Sequence, residues 1–500
     1  MDEITPQEGK TNFENNNIEA ENKKNSRPPY HHTFSYLSNS SDNSSLANPP
    51  IECPGFTLSS KSRMIVYSFF LISNVLISMD HGSIPASTLQ LRQLTTHDQS
   101  IGLFGSLVYV GNIIGSLFLF AFINMYNRKH LLIISLLVNA IFLYAFVLTT
   151  NLPLLFLNRI IVGIFQAYVT IYLPVWCNQY GEASKRTVMI AFVQFGSPVG
   201  IFFGYLIASI SIQENLYGGW TFAFVVQAAL ILLLTIVFLF VPQKYFDKDI
   251  YSLTDSLGNE RFVMNANVNK AQKNANLPFM TMLSIIAKKK IFVYSVGGLA
   301  ILIYVISGVQ YWISDYMMNI LQIISSKKRL FYFTLVCFTS PTLGVLVGTF
   351  TKNAFCKNDI TKSLIFCLIL GVFACLFAII VPLLSNILAF LIAMWFVLFF
   401  GGGIVPVITN IIITAVPKKL DASGNSITNL ISNLFGYLPA PYIYGILSDI
   451  FGDKGIIGMR FTMWYSVIGV LFFALATYSS VIKDKKHLKK QEEREELKIN

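Results

Sequence analysis

Twelve apolar stretches, each long enough to cross a lipid bilayer, fall into two groups of six on either side of a polar segment, Gln243–Lys290. A hydrocarbon core about 30 Å thick needs roughly 20 helical residues to cross it. The runs are continuous rather than alternating, so they predict helices and not the strands of a barrel. We place the crossings at residues 65–89, 99–123, 130–150, 153–177, 187–211, 220–242, 291–318, 330–350, 361–384, 387–415, 423–447 and 458–482. The sequence therefore predicts an all-α membrane protein with twelve transmembrane helices.

The composition agrees with this class and limits the partners. Apolar residues make up 54% of the chain and charged residues only 13%. In a soluble protein the net charge of +11 would suggest a nucleic-acid partner. In a membrane protein, Lys and Arg collect in cytosolic loops, so the charge reports orientation and no nucleic acid is expected.

The alternation of apolar and polar sequence divides the chain into five regions. These are a disordered cytosolic tail (1–60), a first six-helix bundle (61–243), a cytosolic linker (244–290), a second six-helix bundle (291–482) and a charged cytosolic tail (483–500). The loop Lys and Arg residues favour cytosolic chain ends, although the cluster Lys327–Arg329 argues against this locally. No leader precedes the first crossing, which is expected to direct insertion into the plasma membrane or an acidic organelle membrane.

Two bundles of six helices around a central site are the architecture of secondary transporters of the major facilitator type. A channel would show a repeated filter, and an intramembrane enzyme a His-Glu-x-x-His motif or paired Asp; the predicted crossings contain neither. The six cysteines lack metal-ligand spacing, so neither a metal nor a cofactor is expected. The predicted function is transport and not catalysis.

Ionisable side chains inside the first bundle mark the candidate coupling site. Asp80, with His81 beside it, and Arg159 lie within predicted crossings, where charge normally faces a cavity and a partner. Counted at about 1.5 Å per residue, Asp80 and Arg159 reach a similar depth, so an ion pair is geometrically possible. Asp80 can then load and release a proton, with His81 as an extension of the relay. The alternative is a static pair that locks the first and fourth helices together.

Polar and aromatic residues in the crossings are the candidates for binding the solute, and small residues and prolines for gating. The binding candidates are Gln166, Gln194, Gln310, Tyr311, Trp312, Asn410 and Asn433. The gating candidates are Pro198, Gly200, Gly204 and Pro406. Asp315, near the end of the seventh crossing, could attract a cationic headgroup, but we favour a solvated helix end.

Short motifs between about residues 75 and 465 carry a family resemblance. In the first half they are Met79-Asp80, Tyr126–Lys129, Arg159–Ile164, Pro198–Gly200 and Gly204-Tyr205. In the second half they are Gly308, Trp312, Val416-Pro417, Pro441-Tyr442, Gly445, Ser448 and Asp449. Together they resemble the spinster family of the major facilitator superfamily. The resemblance implies the major facilitator fold, alternating access, and lysophospholipids or sphingoid lipids as substrates.

The chain also departs from the spinster pattern. His81 stands where that family has Arg, and Gln166 where it has Glu in the fourth helix. Because Gln cannot exchange a proton, coupling would rest on Asp80, and facilitated diffusion is the alternative. Where the superfamily usually has Gly and Asp in its motif between the second and third helices, this chain has Phe120 and Asn124. The segment Phe435–Pro441 also resembles the eleventh helix of organic-anion transporters.

The sequence as a whole predicts a monomeric, proton-coupled transporter that contacts membrane lipids and moves a small amphiphilic solute. An organic-anion or sugar facilitator is the alternative within the superfamily. A sensor or scaffold that binds its solute without moving it is the alternative from another class.

Overall fold

A computed structural model describes residues 60–122, 126–181, 186–216, 218–246, 284–356, 359–416 and 421–499. The predicted N-terminal tail, most of the predicted linker and Asn124 lie outside these residues, as does the side chain of Phe120. Secondary structure in the described part is helical throughout, which confirms the predicted all-α class.

The described residues of the first half include eight α-helices. They are α1 (Ser60–Ile77), α2 (Asp80–Ala86), α3 (Thr88–Leu91), α4 (Asp98–Phe122), α5 (Arg128–Val147), α6 (Leu152–Tyr180), α7 (Arg186–Gln213) and α8 (Phe222–Phe240). Where the predicted first crossing was continuous, the chain breaks between α1 and α2, so that Asp80 opens a new helix.

The described residues of the second half include nine α-helices. They are α9 (Lys290–Asn319), α10 (Ser326–Phe333), α11 (Ser340–Thr351), α12 (Ile360–Ile380), α13 (Ile387–Ala415), α14 (Asp421–Ser432), α15 (Pro439–Phe451), α16 (Ile456–Trp464) and α17 (Ser466–Ile499). Three segments of π-helix come directly after α10, α11 and α14. They are, in that order, Thr334–Thr339, Lys352–Cys356 and Asn433–Tyr437. The predicted charged tail is helical, since α17 continues from the last crossing to Ile499.

Eleven of these helical stretches are long and apolar enough to cross a membrane, as judged over the described residues. The remaining predicted crossing, 423–447, corresponds to α14, the π-helical segment Asn433–Tyr437 and α15. Its first part carries Asn425, Ser426, Thr428 and Asn429, which makes it more polar than the other crossings.

Polar residues at the helix starts explain where several crossings begin. The side chain of Asn127 accepts hydrogen bonds from the backbone N–H groups of Lys129 and His130 at the start of α5. Asn386 caps α13 in the same way, and Asp359 caps α12. Such caps satisfy N–H groups that have no partner inside the helix.

We name the two ends of the helical bundle by the chain segments found there. The tail end is where α1 begins and the last crossing leaves, and the hairpin end is the opposite one, where α3 leads into α4. Among the described residues, several hydrogen bonds join the two halves near the hairpin end, and nearer the tail end Asn429 donates to the Ser116 hydroxyl at 3.5 Å.

Helix α7 contacts the second half near the hairpin end. The Tyr205 hydroxyl lies 2.7 Å from the Ser314 hydroxyl, and the Tyr205 ring stacks on Phe333. Phe202, one turn earlier, stacks on Phe338 in a π-helical segment. One face of α7 therefore joins the halves.

Candidate functional site

The break between α1 and α2 is held by close packing of α7. Gly204 lies so near that a Cβ atom there would be 1.8 Å from the Met79 carbonyl oxygen. A Cβ on Gly200 would be 2.2 Å from the Val75 carbonyl oxygen, and one on Gly82 would be 1.8 Å from that of Ile201. Only glycine permits backbones to approach this closely, so these residues let α7 support the chain where Asp80 turns inward.

Replacing Gly204 by Ala is expected to destabilise the protein, because the added methyl group overlaps the Met79 carbonyl. Overpacking of this kind costs about 1–3 kcal/mol. Thermal unfolding in detergent would show a lower midpoint. Gly371→Ala is the matched control, since a Cβ there meets its nearest atom at an ordinary 3.4 Å. Equal midpoints for the two variants would contradict the packing argument.

Asp80 and Arg159 form a buried ion pair. The Asp80 side chain is fully buried, and its Oδ2 lies 2.5 Å from Nη1 of Arg159 on α6. Arg159 Nε donates to the Phe104 carbonyl oxygen at 3.0 Å, which fixes the plane of the guanidinium. The matching depths of Asp80 and Arg159 made an ion pair geometrically possible, and the structure contains it. The pair links the first crossing to the fourth.

Gln166 lies two turns after Arg159 on the same face of α6 and binds the other oxygen of the same carboxylate. Its Nε2 donates to Asp80 Oδ1 at 3.2 Å and to the Ile77 carbonyl oxygen at 3.0 Å. The second bond satisfies a carbonyl at the end of α1, where the helix break leaves it without a partner in the helix. Gln166 therefore supports the Asp80 carboxylate, although its residue type predicted a role in binding the solute.

An aromatic stack connects this site to the second half. His81 Nε2 lies 3.9 Å from Asp80 Oδ1, and its Nδ1 lies 3.2 Å from the Tyr109 hydroxyl. The Tyr109 ring stacks on His81 and also on Tyr437, with centroids 5.3 Å and 4.7 Å apart. Sequence reasoning missed Tyr109 and Tyr437. The single hint was that Tyr437 lies in the segment resembling organic-anion transporters.

Two of the other predicted binding residues make contacts between helices. Tyr311 donates to the Ile101 carbonyl oxygen, and Trp312 donates to that of Pro441 at 3.0 Å while stacking on Tyr444. Both side chains are buried in contacts between helices. The remaining candidates differ in exposure: Asn433 is buried, Gln194 and Gln310 are half-buried, and Asn410 is exposed.

The predicted gating residues fall on two helices. Gly200 and Gly204 pack against the α1–α2 break, and Pro198 is half-buried on the same helix, α7. Pro406 is half-buried inside α13, which runs unbroken past it.

A second polar cluster closes the hairpin end. Arg92 Nη2 donates to both oxygens of Asp315, at 3.2 and 3.1 Å, and Asn319 donates to the same carboxylate at 2.9 Å. Arg92 Nη1 also binds Asp98. The interpretation of Asp315 as a solvated helix end was wrong: its side chain is only 3% exposed, because Arg92 from the first half covers it.

Asp449 belongs to the same cluster. It lies in α15, two residues beyond the predicted crossing 423–447, and accepts hydrogen bonds from the backbone N–H groups of Asp98 and Gln99, at 2.9 and 2.8 Å. The Ser448 hydroxyl donates to Asp98 Oδ2 at 2.6 Å. Two carboxylates therefore reach across the boundary between the halves, one in each direction.

Residues 68–434 match the family model described as Major Facilitator Superfamily. The chain belongs to this superfamily. Its predicted fold is thereby confirmed, and members of the superfamily are transporters and not enzymes.

The relatives of this chain include a spinster homologue and a myo-inositol transporter. Protein spinster homolog 1 of Xenopus laevis is 22% identical over 345 residues, which cover 65% of this chain and 61% of the relative. Myo-inositol transporter FST1 of Gibberella moniliformis is 25% identical over 322 residues, 58% of this chain and 54% of the relative. The chain thus matches about six tenths of the frog protein's length and about half of the fungal protein's. The predicted resemblance to spinster proteins is confirmed.

Solved structures support the fold. A bacterial homologue of the human lysosomal transporter Spinster, inward-facing and unoccupied, matches with a TM-score of 0.65 at 16% identity, covering 85% of this chain and 99% of that one. The Escherichia coli proton:xylose symporter XylE matches with a TM-score of 0.64 at 16% identity, covering 83% and 95%. The superfamily match and the apolar helices make this a multi-pass membrane protein.

Proposed function

We propose that this protein is a secondary transporter that moves a small amphiphilic solute by alternating access and couples its movement to protons at Asp80. The observation that carries the proposal is the buried pair of Asp80 and Arg159 beside a broken helix. A charge inside a bilayer costs at least about 2.5–3.5 kcal/mol on insertion scales, so charges found there normally serve a function.

The surroundings of Asp80 suit a carboxyl group that exchanges a proton. In this structure the Asp80 carboxylate accepts hydrogen bonds from Arg159 and Gln166, which stabilise its ionised form. Movement that lengthens these bonds would leave a buried carboxylate without partners, and such a group takes up a proton. His81 and Tyr109 extend from Asp80 toward the second half. They are the proposed path of the proton or the proposed sensor of the movement.

The arrangement of the halves supports alternating access. Contacts between them close the hairpin end, which in our proposal faces away from the cytosol, with both chain ends cytosolic. The Asp80 site would then be reached from the tail end. The proposed gating residues Pro198, Gly200, Gly204 and Pro406 lie on α7 and α13, which bend or slide in the change between states.

The test is solute flux into liposomes that contain the purified protein, with and without an imposed pH gradient. A coupled transporter is expected to accumulate solute above equilibrium when the gradient is present. Flux that is indifferent to the gradient would contradict coupling and support facilitated diffusion. No flux, together with thermal stabilisation by the solute, would support a sensor, because a ligand that binds only the folded state stabilises it.

The substrate class is proposed to be a lysophospholipid or sphingoid lipid, on the spinster resemblance and the aromatic content of the second half. The proposed contacts are Gln194, Gln310, Asn410 and Asn433, because Tyr311 and Trp312 are used in helix contacts. A sugar or inositol is the second candidate, because the myo-inositol transporter and XylE are both similar to this chain.

Competition separates the two substrate classes. We expect unlabelled lysophospholipid, below its micelle-forming concentration, to suppress uptake of labelled lysophospholipid at least tenfold, while excess myo-inositol or xylose leaves it unchanged. A lysophospholipid with a shortened acyl chain is the control, since it keeps the headgroup and loses apolar contact. Uptake of labelled myo-inositol, insensitive to lysophospholipid, would contradict the lipid assignment.

A further inference from the structure

The start of α4 is capped by the other half of the protein. The residue before the helix, His97, is not a type that caps well, and Asp98 is the first helical residue. The N–H groups of Asp98 and Gln99 are instead bound by the two oxygens of Asp449 on α15. Helix starts carry partial positive charge, so a carboxylate is the best available partner.

This cap exists only while the halves meet at the hairpin end. Separation of α4 from α15 leaves two backbone N–H groups and the Asp449 carboxylate without these partners. The same movement breaks the two hydrogen bonds from Arg92 to Asp315 and the bond from the Gln99 amide to the Tyr442 hydroxyl, 2.8 Å long. Each of these contacts joins one half to the other.

The cluster is also well supported on each side. Asp98 binds Arg92 within the first half, and Asn319 binds Asp315 within the second. Each half thus holds its own part of the contact in position. Opening therefore separates two preformed surfaces and need not unfold either.

We infer that Asp449 is a positioning residue of the transport cycle: as a helix cap supplied from the other half, it stabilises the state that is closed at the hairpin end, together with Arg92 and Asp315. The inference rests on the proposed alternating-access function. According to this inference, contacts at the hairpin end, and not those at the Asp80 site, set the equilibrium between the states that are closed and open at the hairpin end.

Hydrogen–deuterium exchange of the intact protein in detergent, without solute or pH gradient, tests the inference. In Asp449→Ala, exchange at the start of α4 is expected to rise about 2- to 30-fold, the range that corresponds to loss of a helix cap. Exchange at the tail end, in Pro174–Tyr180 and Asp421–Ser432, is expected to fall, because opening one end closes the other. General destabilisation would instead raise exchange at both ends.

Two further variants sharpen the result. Asp449→Asn keeps one oxygen acceptor and is expected to lie between wild type and Asp449→Ala. Asp453→Ala is the matched control: Asp453 accepts hydrogen bonds from Gly455 and Ile457 at the start of α16, within its own half. It should raise exchange locally and leave the tail end unchanged.

The inference is overturned if Asp449→Ala and Asp453→Ala give the same pattern, or if Asp449→Ala raises exchange at the tail end. Arg92→Gln should likewise raise exchange at the hairpin end and lower it at the tail end. Unchanged exchange at both ends in Arg92→Gln would remove Arg92 from the mechanism. Because exchange needs no solute, a protein that transports nothing in liposomes still gives a valid result here.

Discussion

Replacing Asp80 by Asn is expected to abolish uptake of solute against its gradient while leaving exchange of solute across the membrane. Asn keeps the size of the side chain and still accepts a hydrogen bond from Arg159, but it cannot carry a proton. A transporter that cannot release its proton still alternates when solute is bound on both sides. The measurement is gradient-driven accumulation and solute exchange in the same liposomes.

A matched control comes from a carboxylate outside the site. Asp359→Asn removes one charge from an exposed helix cap, where Asn caps about as well as Asp. It should leave both activities unchanged. Undiminished accumulation in Asp80→Asn would remove Asp80 from coupling and support a static pair between α1–α2 and α6.

Replacing Arg159 by Ala is expected to cause the largest loss of stability among single substitutions at the site. It leaves the carboxylate of Asp80 buried without its charged partner, and removing one member of a buried ion pair typically costs about 3–5 kcal/mol. The Phe104 carbonyl oxygen also loses its donor. Thermal unfolding in detergent, followed by size-exclusion chromatography, would report the loss.

The double variant Asp80→Asn with Arg159→Gln, measured beside the single variants Asp80→Asn and Arg159→Gln, tests the physical reason. With both charges removed, two amides of compatible size can hydrogen bond to each other, and much of the lost stability should return. The pair then shows a coupling free energy above about 1 kcal/mol, as residues in direct contact do. Additive effects of the single substitutions would mean that the ion pair itself contributes little.

Helix positions were predictable because bilayer thickness and helical rise fix the length of a crossing. The same rise gave the matching depths of Asp80 and Arg159, which the structure brings into contact. The break at Ser78-Met79 was not predictable, because the apolar pattern continues through it. Its visible cause is the packing of Gly204 and Gly82, and glycines are common in any membrane helix.

The hairpin-end cluster escaped prediction for a different reason. Arg92 and Asp315 are separated by 223 positions in the chain, and each taken alone looks like a charged residue at a helix end. Their burial depends on how the halves meet, which local patterns do not encode. Tyr109 and Tyr437 were missed because the chain holds 23 Tyr residues, so a functional aromatic pair does not stand out from ordinary packing.

Helix α7 touches both the ion-pair site and the second half, and this gives the molecule a direct mechanical connection. On one face, Gly204 lies against the Met79 carbonyl, one residue before Asp80. From the next residue, Tyr205 reaches Ser314 and Phe333. Because backbone in close contact cannot slide without moving its neighbour, a shift of α7 by a fraction of an ångström displaces the carboxylate. Neighbouring residues of one helix thus connect the position of the second half to the Asp80 site in the first.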